Sequence, residues 1–242
     1  MKYFTITLRP TSLWAACLAM LFQFIIPVTV HAQDDLKGEY TFDLGITYAV
    51  SSGKENKMKN NENFTMWFTK GDYAGMEVNK QEGFFMIYDL ADGKMITLMN
   101  EQKTAMVMNM KKMMEQAAQS MDSMKRDNDV EITKTGKSDN ILGYHCDQYN
   151  VKAKDAESMI WITNELGEPS TGFSKSFAIM MAGNRKGKAG GPSTRMPLGV
   201  MLRMESTTKK GDKSTMEATE IHKDGKTIST SGFQVMKMPG QG

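Results

Sequence analysis

Three groupings in this 242-residue chain have side chains that could do chemistry. Met106, Met108 and Met110 alternate, Met113 and Met114 follow, and Met121 and Met124 close the run. Thioethers this closely spaced suit a soft ion such as Cu(I). His145 and Cys146 are adjacent, the two residue types of a thiol–imidazole nucleophile pair. Arg185, Lys186, Lys188 and Arg195 crowd a glycine-rich stretch that could meet anionic headgroups at a membrane surface, or an acidic partner.

Each grouping also has a plainer explanation in the element that carries it. Met106, Met108 and Met110 alternate as any half-buried strand does. From Met110 the period changes: Met110, Met113, Met114, Ala117, Met121 and Met124 fall on one helical stripe, and the spacing predicts an amphipathic helix over 110–126. In a strand, successive side chains point to opposite faces, so His145 and Cys146 cannot activate one another; the thiol is expected inward and the imidazole outward. The basic cluster lies in 183–197, a loop rich in glycine and proline. No phosphate loop, dinucleotide fingerprint, nucleophile elbow or zinc-ligand spacing occurs, and the reading is of a non-enzyme without a cofactor.

The first 32 residues read as a signal peptide. Lys2 and Arg9 precede the apolar run 13–30, and Val30-His31-Ala32 offers a small-residue cleavage site. Removing them changes the charge, because the 30 basic residues include Lys2 and Arg9 and none of the 28 acidic ones lies in the leader. The remaining chain, 33–242, is formally neutral and has no field to recruit nucleic acid. Cys146 is its one thiol, so no internal disulfide forms, and a chain of this length can build one core unaided. The expected location is the periplasm or the exterior.

Strand patterns dominate 33–242. They cover 40–50, 63–69, 73–78, 84–90, 95–100, 103–110, 130–135, 143–153, 158–163, 198–205, 214–222 and 227–235. Turn signals include Lys70-Gly71-Asp72, Asp92-Gly93, Gly211-Asp212 and Asp224-Gly225. A second short helix is predicted near 173–181, where Phe173, Phe177, Met180 and Met181 share a face. The expected fold class is α+β: one curved antiparallel sheet, a half-barrel, whose concave face two amphipathic helices cover.

The segment 141–151, with Gly143, Cys146 and Tyr149 at three-residue spacing, is followed by Ile160-Trp161-Ile162-Thr163. Together with Met196-Pro197-Leu198-Gly199 and Phe233-Gln234-Val235 before Pro239-Gly240, it resembles the signature of an exported bacterial domain-of-unknown-function family, the 4412 family. The resemblance implies the half-barrel fold of the periplasmic lipoprotein carriers, which shield acyl chains between membranes.

Methionine is the residue that could line such a fold. Of 24 in the sequence, Met1 and Met20 lie in the leader and 22 in the remainder, beside 8 leucines. Flexible, polarisable thioethers suit a surface that accepts varied apolar partners. The expected function is non-enzymatic binding of a hydrophobic ligand: an acyl chain, a lipoprotein or an apolar peptide. The candidate lining is Met66, Phe68, Phe85, Ile87, Met106, Met108, Met113, Met114, Met121, Trp161, Phe177 and Met181. Two alternatives stand beside it, a Cu(I) carrier using the methionines of 106–124 and a structural or interaction module of the cell envelope.

Overall fold

The computed structural model describes residues 36–54, 59–60, 63–70, 73–78, 83–111, 114–115, 130–167 and 197–237. The leader 1–32, the helix at 173–181, the basic cluster and most of the helix at 110–126 lie outside them.

Fifteen strands follow one another along the chain: β1 (Glu39–Phe42), β2 (Leu44–Lys54), β3 (Lys59–Asn60), β4 (Phe64–Phe68), β5 (Tyr73–Val78), β6 (Phe84–Asp89), β7 (Lys94–Met99), β8 (Thr104–Asn109), β9 (Val130–Ile141), β10 (Tyr144–Ala153), β11 (Ala156–Thr163), β12 (Val200–Thr208), β13 (Asp212–His222), β14 (Lys226–Ser229) and β15 (Gln234–Lys237). Thirteen form one open sheet in the order β15-β8-β7-β6-β5-β4-β2-β13-β12-β11-β10-β9, with β3 beside β2. So wide a sheet does not stay flat. Bulges at Asp147/Tyr149, Trp161/Ile162 and Ala218/Glu220 help it to bend. Every pairing is antiparallel except β15 against β8.

The α+β expectation is corrected. Every complete element among the described residues is a strand; at the start of the expected 110–126 helix the described residues Lys111, Met114 and Glu115 have helical backbone, with Met114 N–H donating to the Met110 carbonyl (2.8 Å). Among the described residues, one face of the sheet is covered by strands. The pattern at 40–50 is interrupted at Asp43, whose N–H donates to the Phe68 carbonyl (2.8 Å) and whose Oδ2 accepts from Lys70 N–H (3.2 Å). The pattern at 227–235 breaks likewise at 230–233, where Phe233 N–H bonds back to the Thr230 carbonyl (3.1 Å). These two breaks free β1 and β14 to pair as a separate two-stranded ribbon.

The ribbon seals one core. Tyr40 and Phe42 of β1 pack on Trp67, Phe85, Ile87, Ile96, Leu98, Ala105 and Val107, with Leu36, Ile228, Phe233 and Val235 at the margin. Tyr73 contacts both ribbon aromatics edge-on, at ring centroid distances of 5.2 Å to Tyr40 and 5.5 Å to Phe42. Its hydroxyl donates to the Thr41 carbonyl (2.9 Å) and accepts from Thr41 N–H (3.2 Å). Lys37 pins the ribbon's approach, its Nζ 2.9 Å from Oδ2 of the buried Asp89. Trp67 pairs across the ladder with Gly45 on one side and Gly75 on the other. Both must lack a Cβ: at position 45 it would meet the indole at 2.6 Å, and at 75 the Phe85 ring at the same distance.

The larger core lies on the central strands and those beyond them. Leu44, Ile46, Tyr48, Met66, Phe68 and Ala74 join Ile160, Ile162, Val200, Met201, Leu202, Met216 and Ala218, and the cluster extends to Ile141 and Cys146. Tyr48 is wholly buried and donates its hydroxyl to the Met201 carbonyl (2.8 Å).

Candidate functional site

Alternation fixes which side chains share the side of β5–β8 turned away from the ribbon. The inward set under the ribbon, Gly75, Phe85, Ile87, Ile96, Leu98, Ala105 and Val107, forces the intervening residues to the other face. There the ladder aligns Met106, Thr97, Met86, Met76 and Met66 in one row across five strands. The next row reads Met108, Met95, Tyr88, Ala74 and Phe68. Met99 stands opposite Phe84, and on β15 Met236 lies beside Met106.

Burial separates this face from the cores. Met66 and Phe68 are fully buried in the larger core, and Ala74 with them. Met76, Met86, Met95, Met99, Met106 and Met108 are half-buried and belong to neither core, while Met236 is 50% and Phe84 42% exposed. Seven thioethers and a phenyl ring thus continue the core surface outward across β5–β8 and β15. The face is apolar, soft and without a charged side chain in its two central rows.

The expected lining is divided by this geometry. Met106 and Met108 sit on the methionine face, and Met66 and Phe68 on its buried continuation. Phe85 and Ile87 are on the opposite side, under the ribbon. Trp161 is buried on β11, with four strands between it and β5, and the Arg203 guanidinium lies 5.2 Å over its ring. Met114 is half-buried just beyond β8, and Met113, Met121, Phe177 and Met181 lie outside the described residues. Met76, Met86, Met95, Met99, Met236, Phe84 and Tyr88 were missed. In Phe84-Phe85-Met86-Ile87-Tyr88 both faces are apolar, so the pattern alone does not choose a side. The repeated parity of methionine on β5–β8 was the available signal.

The copper alternative needs sulfurs that converge. Met106 and Met108 share the face, but Met110 is buried and elsewhere, its N–H bonded to the Gly93 carbonyl (2.7 Å). The face methionines are spread over five strands spaced about 4.8 Å apart. Among the described residues no group of three or more His, Cys, Asp or Glu could hold a metal ion.

Polar chemistry is confined to other places. Cys146 is fully buried, its thiol donating to the Tyr144 carbonyl (3.5 Å), and burial pushes it up to about 11. His145 points away, with Nε2 3.9 Å from Asp147 Oδ1. On the ribbon side, Trp67 stacks on His222 (5.4 Å) and donates to Glu77 Oε2 (3.3 Å). Glu77 also holds Lys226 (2.6 Å), and Thr47 bridges His222 (3.0 Å) and Thr65 (2.9 Å). Arg203 is forked between Asp139 (2.8 Å) and Glu217 (2.7 Å). These groups are engaged with one another.

Comparison with known proteins gives one family and several distant structures. The profile of a domain of unknown function, DUF4412, matches residues 54–236. No curated protein matches. Among solved structures, PNGF-II is similar at 13% identity and TM-score 0.38; the alignment covers 81% of this chain and 31% of that one, so the chain spans less than a third of PNGF-II. A LolA superfamily protein from Nitrosomonas europaea is similar at 7% identity and TM-score 0.28, covering 75% and 84% of the two chains. Lipoprotein LppX of Mycobacterium tuberculosis is similar at 7% identity and TM-score 0.31, covering 74% and 85%.

Proposed function

The chain belongs to the DUF4412 family, and on that premise we propose that it is a non-enzymatic binding protein of the cell envelope that holds a hydrophobic ligand on its methionine face. The observation that carries this is the face itself. Seven half-buried or exposed methionines lie on one side of five neighbouring strands, outside both cores. A contiguous, partly exposed apolar surface of this kind supports an interaction site. Thioethers fit it to partners of varied shape, because Met has three rotatable bonds and packs without a demanding geometry.

The ligand is an acyl chain, the acylated end of a lipoprotein, or an apolar peptide. The two central rows offer no charge to select a headgroup and only the hydroxyls of Thr97 and Tyr88 among their side chains, so recognition is mainly through apolar contact. Export through the 1–32 leader would bring the protein to acyl-bearing partners, and the basic cluster 185–195 would meet anionic headgroups while the ligand passes.

Native mass spectrometry of protein purified from its own envelope, paired with titration of a fluorescent fatty acid, tests the reading. Co-purified lipid and saturable binding, lost on Met86→Glu and Met106→Glu, are the expected outcome. Stoichiometric Cu(I) in place of lipid, or binding unaffected by both substitutions, would overturn it.

A further inference from the structure

The methionine face is also a reactive surface. A thioether accepts one oxygen in a two-electron oxidation: the sulfur attacks a peroxide O–O bond, a sulfoxide forms, and the second oxygen leaves as water. The product is polar and chiral, so an apolar surface that is oxidised becomes a wet one. Susceptibility follows exposure, and this fold sorts its methionines by exposure. Met66, Met110 and Met201 are fully buried, whereas Met86, Met95 and Met106 are half-buried and Met236 is 50% exposed.

We propose that the face formed by β5–β8 and β15 is an oxidation-responsive site at which peroxide-class oxidants convert methionine to sulfoxide while both cores stay intact. The half-buried methionines of the two central rows stand back to back with the ribbon-covered core, which contains no methionine among its buried residues. Oxygen taken up on the methionine face therefore adds no polar group beneath the ribbon. The sheet keeps its ladder and loses its greasy surface. The consequence for binding, release of an apolar ligand on oxidation, rests on the function proposed above; the oxygen uptake does not.

The test is a peroxide titration of the full chain with sulfoxide mapped by peptide mass analysis, alongside far-ultraviolet circular dichroism and native retention on a hydrophobic-interaction column. Met86, Met95, Met106 and Met236 are expected to oxidise roughly 10-fold or more faster than Met66, Met110 and Met201. Retention should fall with dichroism unchanged. Equal rates in the two sets, or loss of strand signal before the face is oxidised, overturn the proposal. A variant carrying Met86→Leu, Met95→Leu, Met106→Leu and Met236→Leu should hold its retention through the same titration; a drop equal to the parent's places the change elsewhere and also overturns it. Fatty-acid titration separates the two ideas. Oxidised protein that binds as tightly as reduced protein overturns the release, while reduced protein that binds none overturns the function proposed above and leaves the oxygen map to be judged on its own.

Discussion

The indole of Trp67 lies against Gly45 on the adjoining strand, so closely that a Cβ at position 45 would stand 2.6 Å from its Cζ3. Overpacking of this kind costs about 1–3 kcal/mol, because ring and backbone must both shift. Gly45→Ala should therefore lower the denaturation midpoint, with the change in Trp fluorescence coinciding with the change in dichroism. An unshifted midpoint would show that the indole has room to move.

Two neighbours on β6 give a direct check of which side is which. Ile87 is fully buried beneath the ribbon, and Met86 faces the other way, half-buried. Ile87→Ala should cost about 2–5 kcal/mol through the cavity it leaves. Met86→Ala should cost about 1 kcal/mol or less. Equal losses in urea unfolding would mean the two faces are assigned wrongly.

Lys37 and Asp89 tie the ribbon's approach to the sheet. Asp89 is buried, and besides Lys37 its Oδ1 accepts the Asp92 N–H (3.2 Å). Asp89→Ala strips both of their partner and should cost about 1–3 kcal/mol. Lys37→Met leaves a buried carboxylate without its cation and should cost a similar amount. Faster amide exchange confined to β1 and β14 in either variant is the expected signature; exchange rising equally throughout the sheet would contradict it.

High pH should weaken the fold in a defined window. Burial raises the Cys146 thiol from near 9 to about 11, and burial raises Tyr40 from 10 to about 12. Each group stays neutral longer folded than unfolded, so above the unfolded value the unfolded chain binds fewer protons and stability falls as pH rises. Lys37 acts in the same direction: burial opposes its charge, but the Asp89 pair outweighs that and raises it, so its contribution is also lost at high pH. Unfolding free energy should drop from about pH 9 upward, and Cys146→Ala should flatten the drop between about 9 and 11. A flat profile in the parent would refute the burial of Cys146 and Tyr40 and the pairing of Lys37 with Asp89.

The strands between Phe64 and Asn109 were legible from alternation and turn residues, with bounds off by a residue or two, because each has a period of two and a glycine or asparagine signal at its end. What alternation could not supply was register. Met66 and Phe68 were grouped with Phe85 and Ile87, yet the ladder sets Met86 opposite Met76 and Met76 opposite Met66, and sends Phe85 and Ile87 to the reverse side. A strand apolar on both faces carries no local mark of which neighbour it will meet. The breaks at Asp43 and Thr230 were invisible for a similar reason. Each looks like one polar residue inside a strand, and only the distant bonds to Phe68, Lys37 and Gly38 show that the chain there changes sheet. The cover of the sheet was accordingly assigned to helices, where the helical period was plain, and not to the ribbon that supplies it on the Trp67 side.

The pairing of β1 with β14 has a kinetic side. Thr41 and Thr227 are 186 residues apart, while β4 to β8 are joined by short turns. Local hairpins close in microseconds, but a contact between segments so distant in sequence must wait for the entropic cost of closing the intervening loop. The meander can thus form while Phe85, Ile87, Ile96 and Leu98 are still bare, and they stay bare until residues near 228 are synthesised and return. The segment that completes the cover leaves the ribosome well after the meander has done so. Truncation after residue 222 should leave a meander that collapses and aggregates, and holding chaperones are needed most in the interval before β14 arrives.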